Sequence, residues 1–413
     1  MDNDGRPSLE AVRSPTPSLQ SGWLWVNVMA AAALVAVVGC LGLLAQQLGQ
    51  SWQSAWPAYN DYFSSSDSGF AWGRWFLGDM SEPTFYKHEL ASLGLCIGAF
   101  FAWLAAYRGS RWQGFPIAYG SGLWPWILAA STFSLLLNQL LWGWTLTNTA
   151  NWQPTFVVFV SLPAATVLLL GRGWRVAMLG AVMGPLLVTP LALLLINYLC
   201  IPMGWPAVIG GVSAMALGSV AAFYLYRVFR GAIAVWVRLP VKPQEMLVEQ
   251  GTRREARFGA GWTVRRILAD FSESQFYGNE WAGIGLIAGV LLAVVLNPLG
   301  PAYGSLLLPQ ILVGQVMTSA IGIILWRRKW MEKGWYPTYV PVVSVVPACV
   351  VGLGSAPEVI ILSAFAGALI GPPLASWISG QLPDDFHPYI GNMLSMALST
   401  LAIILWLRWV LGM

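Results

Sequence analysis

Asp79-Met-Ser-Glu-Pro-Thr-Phe-Tyr-Lys-His-Glu-Leu-Ala-Ser-Leu-Gly-Leu95 returns, ungapped and with nine identities, as Asp270-Phe-Ser-Glu-Ser-Gln-Phe-Tyr-Gly-Asn-Glu-Trp-Ala-Gly-Ile-Gly-Leu286. The chain is therefore an internal duplication. The echo continues in order: Tyr119-Gly120-Ser121 with Tyr303-Gly304-Ser305, Trp152-x-Pro154-Thr155 with Trp335-x-Pro337-Thr338, and Ile209-Gly210 with Ile390-Gly391. Order kept over about 140 residues marks a structural half rather than a solenoid unit. In an apolar chain such a half points to transporter-like architecture.

The apolarity is plain: 57% of the 413 residues are hydrophobic and 10% charged, with a mean hydropathy of +0.62. Too little polar surface remains to solvate a water-soluble fold, so an all-α polytopic membrane protein is expected. Apolar stretches at 22–47, 90–107, 122–145, 155–171, 176–200, 207–227, 281–297, 305–326, 339–353, 359–379 and 389–409 give about 11 spans. The expected organisation is a disordered cytoplasmic N-terminus (1–21), a retained first helix (22–47), repeat 1 (75–230), a basic linker (231–265) and repeat 2 (266–411). The four cysteines, Cys40, Cys96, Cys200 and Cys349, fall in or at the ends of apolar stretches and suggest neither a disulfide framework nor a metal site.

Cations set the orientation, because Lys and Arg near helix ends stay on the cytoplasmic side. Arg108 and Arg111, Arg172 and Arg175, the linker from Arg227 to Arg266, and Arg327 to Lys333 alternate with cation-free loops near 146–151, 201–206, 298–304 and 352–357. This pattern puts the N-terminus and the linker in the cytoplasm and the C-terminus on the opposite face of a cell (inner) membrane. Five spans per repeat, an odd number, make the second repeat enter from the other side, so the repeats are inverted.

Three features carry candidate chemistry. If helical, the repeated motif puts Glu82, Tyr86 and Glu89, and likewise Glu273, Tyr277 and Glu280, on one polar stripe, with Ser81 and Ser272 as caps. Glu89 and Glu280 then open apolar spans, where a charge must face the bundle interior or a watery path. In the fourth spans, Pro185 and Pro190 match Pro372 and Pro373; proline removes an amide donor, so a broken helix with free carbonyls is expected in each repeat. Ser161 and Ser344, in the short third spans, are placed to line the same cavity.

Five plus five inverted spans with a broken fourth looks like the architecture shared by sodium/proton antiporters and bile-acid-type symporters, a resemblance of layout over residues 75–411. The fifth spans lack the Asp or Glu that antiporters of that class carry, which tells against simple sodium/proton exchange. The leading expectation is a secondary transporter of a small solute, coupled to H+ or Na+ and working by alternating access. The alternatives are a flippase or exporter of an amphiphile and a membrane-embedded enzyme or assembly factor. No P-loop, His-Glu-x-x-His or Cys-x-x-Cys occurs, so no cofactor, metal or catalytic residue is expected and the chain is read as not an enzyme. The expected partners are the lipid bilayer, the solute, its coupling cation and a second copy of the chain; nucleic acid is not among them.

Overall fold

The computed structural model describes residues 17–52, 56–64, 69–237 and 258–413, and every regular element among them is helical. Helix α1 (Pro17–Ser51) precedes two matched series. The first comprises α2 (Gly69–Asp79), α3 (Glu89–Tyr107), α4 (Trp124–Trp142), α5 (Leu162–Leu170), α6 (Trp174–Cys200) and α7 (Ala207–Val228). The second comprises α8 (Ala260–Asp270), α9 (Glu280–Leu296), α10 (Leu308–Leu325), α11 (Val345–Leu353), α12 (Pro357–Ser379) and α13 (Tyr389–Leu411). All eleven apolar stretches fall on helices, and among the described residues seven helices are long and apolar enough to cross a membrane. The protein is an α-helical membrane protein.

Several boundaries differ from the sequence reading. Helix α1 begins at Pro17, inside the stretch expected to be disordered, while residues 1–16 lie outside the described residues. Much of the basic linker (238–257) also lies outside them. Helices α2 and α8 begin before 75 and 266, and Arg74 and Arg265 on them pair with Glu89 and Glu280.

Backbone conformation repeats with the sequence. Phe85 and Phe276 have φ of 66° and 63°, Ala118 and Ala302 have 48° and 51°, and Tyr119 and Tyr303 have 58° and 61°. Left-handed non-glycine residues are uncommon, so three matched pairs are a conformational signature of the duplication.

The halves meet along α3 and α9. Gly94 abuts the Gly285 carbonyl and Gly285 abuts that of Gly94, while Gly98 meets Trp281 and Gly289 meets Leu90. One number rises as the other falls, so the helices run antiparallel with backbones in contact. Only residues without a Cβ permit that approach, and in lipid, where burial of apolar surface drives little, such close packing is a main source of helix association. Helices α7 and α13 form a second antiparallel pair: Arg227 faces Asp385, and Arg408 faces Gly204.

Candidate functional site

The repeated motif does not form the expected helical stripe. Glu82–Thr84 is one 3-10 turn, Phe85 and Lys87 are left-handed, and His88 is extended, so α3 starts at Glu89 and Glu82, Tyr86 and Glu89 point to different partners. Ser81 and Ser272 do not cap α3 or α9. Ser81 Oγ closes the loop by bonding the N–H and C=O of His88 (3.1 and 3.0 Å), and Ser272 Oγ does the same to Asn279 (3.0 and 2.9 Å). The caps are His88 Nδ1, accepting from Leu90 N–H at 3.1 Å, and Asn279 Oδ1, accepting from Trp281 N–H at 2.8 Å.

Glu89 and Glu280 are matched structural anchors. Glu89 accepts from Arg74 Nε (2.7 Å), Tyr62 Oη (2.8 Å) and Trp56 Nε1 (3.1 Å); Glu280 accepts from Arg265 Nε (2.7 Å) and the Phe115 N–H (2.7 Å). Tyr86 donates to Gln315 at 2.8 Å, whereas Tyr277 packs its ring against Trp124. None of these four residues lines a described cavity.

The charge centre lies in the turns themselves. In repeat 1, the fully buried Lys87 Nζ bonds Asp79 and lies 3.2 Å from Glu82 Oε2, with the Trp75 ring 3.7 Å away. In repeat 2, Arg266 bonds Asp270 (2.8 Å) and Glu273. Under the single offset that aligns the motifs, Gly278 stands where Lys87 does and Arg266 where Trp75 does. The cation has changed position while the two carboxylates have not. A Cβ at Gly278 would collide with the Glu273 carboxylate, the space through which Lys87 runs in the other half. Both triads precede α3 and α9; burial raises the Asp79 carboxyl to about 6 against the pull of Lys87 and raises Asp270 against Arg266.

Each triad is completed across the repeats. Glu82 accepts from Trp152 of its own half (2.9 Å) and from Tyr303 of the other (2.6 Å). Trp335 donates to Glu273 in the same way (2.8 Å), with Tyr119 edge-on to Trp335. The Ala118 N–H bonds the Tyr277 carbonyl and the Ala302 N–H that of Tyr86, at 3.0 and 2.9 Å.

The fourth helices are not broken, which corrects the expectation drawn from their prolines. Helix α12 runs unbroken through Pro372 and Pro373, and α6 absorbs Pro185 and Pro190 in a tract with π-turns at 184–188 and 196–200. Tryptophans occupy carbonyls beside these prolines: Trp142 Nε1 bonds the Pro185 carbonyl (2.9 Å) and Trp326 Nε1 that of Ala368 (2.8 Å), which Pro372, four residues on, cannot serve. None of the four prolines lines a described cavity. Trp326→Phe is therefore expected to lower stability by about 1–3 kcal/mol through the orphaned carbonyl. In a Pro372→Ala background, where the helix regains its own donor, most of that cost should vanish. Thermal unfolding of the four chains measures the coupling, and equal losses in both backgrounds would refute it.

Non-helical breaks fall instead just before α5 and α11. Ser161 and Ser344 have non-helical dihedrals between a 3-10 turn (Thr155–Val158, Val340–Val342) and α5 or α11, and each Oγ donates back to a carbonyl four residues earlier at 2.6 Å. The serines themselves are buried off the cavity, but their neighbours Val160 and Val343 line it. That cavity, about 490 Å³, lies among α7, α11, α13 and the segment entering α5, and reaches from Glu82, Phe85, Tyr303 and Trp152 past Met215 and Met396 to Arg408. Its size is that of a small-molecule site.

The opposite ends of α7 and α13 pack together. Arg227 clasps Asp385, Ser219 Oγ bonds Tyr389 Oη, and Phe223, Phe386, Phe276 and Tyr389 pack edge to face. At the cavity end the matched contact is weaker, Arg408 to the Gly204 carbonyl at 2.8 Å, and Val208 replaces Tyr389. Comparison with protein-family models, curated proteins and solved structures finds no match, so function is argued from this geometry.

Sequence reasoning missed Asp79, Lys87, Arg266 and Asp270 as a charge centre. The usable signal was the paired exchange of Lys87 for Gly278 and Trp75 for Arg266.

Proposed function

We propose that the protein is a secondary transporter of a small solute, working by alternating access between two inverted repeats of five spans in a cell (inner) membrane. The observation that carries this reading is the mismatch between equivalent ends of α7 and α13: a cavity at Arg408–Gly204 and a sealed aromatic plug at Arg227–Asp385. Near-symmetric halves that differ in this way have the form of one state of a two-state device. By the distribution of Lys and Arg, the open end is the non-cytoplasmic one. The mostly apolar cavity wall, with Phe85, Phe156, Val212, Met215 and Met393, favours an amphiphilic cargo, which keeps the flippase reading as the second choice.

The test is labelling of Val212→Cys in a chain whose native cysteines are replaced, using an impermeant thiol reagent on sealed vesicles of each orientation. Labelling is expected from the 201–206 side. Tyr389→Phe, which removes the hydroxyl bonded to Ser219, should raise labelling from the linker side by about fivefold, the worth of one buried hydrogen bond. Labelling that never changes side would defeat the alternating-access reading.

A further inference from the structure

Both triads hold two carboxylates on one cation, a formal charge of −1 in a buried setting where an uncompensated ion costs several kcal/mol. They meet that cost differently. In repeat 2 all four carboxylate oxygens have donors: Asp270 Oδ1 takes Arg266 and Thr338, Oδ2 takes Ser319 (2.7 Å), Glu273 Oε1 takes Trp335, and Oε2 takes Arg266. In repeat 1, Asp79 Oδ1 takes Lys87, Oδ2 takes Gln139 (2.8 Å), and Glu82 Oε1 takes both Tyr303 and Trp152. Glu82 Oε2 is buried and accepts no hydrogen bond, with Lys87 Nζ facing it at 3.2 Å. Glu82 also lines the cavity, whereas Glu273 lines no described one.

We propose that the Asp79–Glu82 carboxylate pair, which shares Lys87, binds one proton, with Glu82 Oε2 the atom reached from the cavity, and that this proton is the coupling ion of the transporter, an inference that rests on the reading above. A proton arriving from cavity water forms an O–H bond at Oε2 and brings the triad from −1 to neutral; breaking that bond returns the proton to water. The groups facing the site are Asp79 and Lys87 from its own segment, Tyr59 and Tyr303 from the flanking loops, and Arg408 at the cavity rim. Lys87 suits a site whose charge changes, because an ammonium can turn its three donors between Asp79 and Glu82. The planar fork of Arg266 instead clamps two permanent carboxylates. Repeat 1 is the working copy and repeat 2 the fixed one.

Proton uptake by the purified protein in detergent, followed with a pH indicator during acidification, tests this. Glu82→Gln should take up about one proton per chain less than wild type, while Glu273→Gln should lose none of that uptake. Tyr303→Phe, a milder change, deletes a hydrogen bond to the ionised carboxylate and should move the uptake midpoint up by about one pH unit. Tyr119→Phe, its counterpart in repeat 2, should leave the midpoint in place. Equal effects in the two repeats, an unmoved midpoint in Tyr303→Phe, or uptake abolished by Na+ would overturn the assignment. The Val212→Cys labelling separates the two levels of argument. If sidedness still changes but uptake is independent of Glu82, only the proton site fails. If uptake depends on Glu82 but sidedness is fixed, transport coupling fails.

Discussion

Lys87→Gly is expected to cost about 3–5 kcal/mol, because it strands two buried carboxylates without a cation. Relief of the left-handed Lys87 backbone, φ 43°, returns about 1 kcal/mol of that. Trp75→Arg in the same chain should recover half or more of the loss, since it rebuilds in repeat 1 the arrangement by which Arg266 holds Asp270 and Glu273. Recovery stays incomplete because Trp75 gives up its 2.9 Å bond to Thr155 and its ring contacts with Tyr62 and Phe63. Folded yield and thermal midpoint of wild type, Lys87→Gly and the double variant measure this. A double variant no more stable than Lys87→Gly would mean that the exchange of cation position is coincidental.

Gly285→Ala should be comparably disruptive, on the order of 3 kcal/mol, although it adds a single methyl group. That methyl would overlap the Gly94 carbonyl oxygen, which belongs to rigid backbone, so α3 and α9 must separate along their whole contact. Gly94→Ala should do the same from the other side. Gly73→Ala on α2 is the control: nothing lies near its added Cβ, and the change favours helix by about 1 kcal/mol. Unfolding midpoints that fall in the first two variants and hold or rise in the third are the expected pattern. A tolerated Gly285→Ala would show that the close crossing is not the seam between the halves.

The motif at 79–95 and 270–286 revealed the duplication, and continuous apolar runs located all eleven helical stretches, because both are written in the order of residues along the chain. The same reasoning misread the motif as helix. Glu82, Tyr86 and Glu89 have helical spacing, yet Phe85 and Lys87 are left-handed, held there by Ser81 across the loop and by the Ala302 N–H from the other repeat. It also put the break in the fourth spans. Proline marks a missing donor but not its replacement, and Trp142 and Trp326, distant in sequence, occupy carbonyls beside those prolines.

The sequence by itself determined that this is a helical membrane protein built twice, since hydropathy and repetition are properties of the chain alone. Only the tertiary structure decided which acidic residues share a site. Glu82 meets Tyr303 across 221 positions, and Asp79 meets Gln139 across 60. Such pairings depend on how two halves pack, and packing in a bilayer turns on close backbone approach and satisfied buried charge, neither of which any local window of sequence contains.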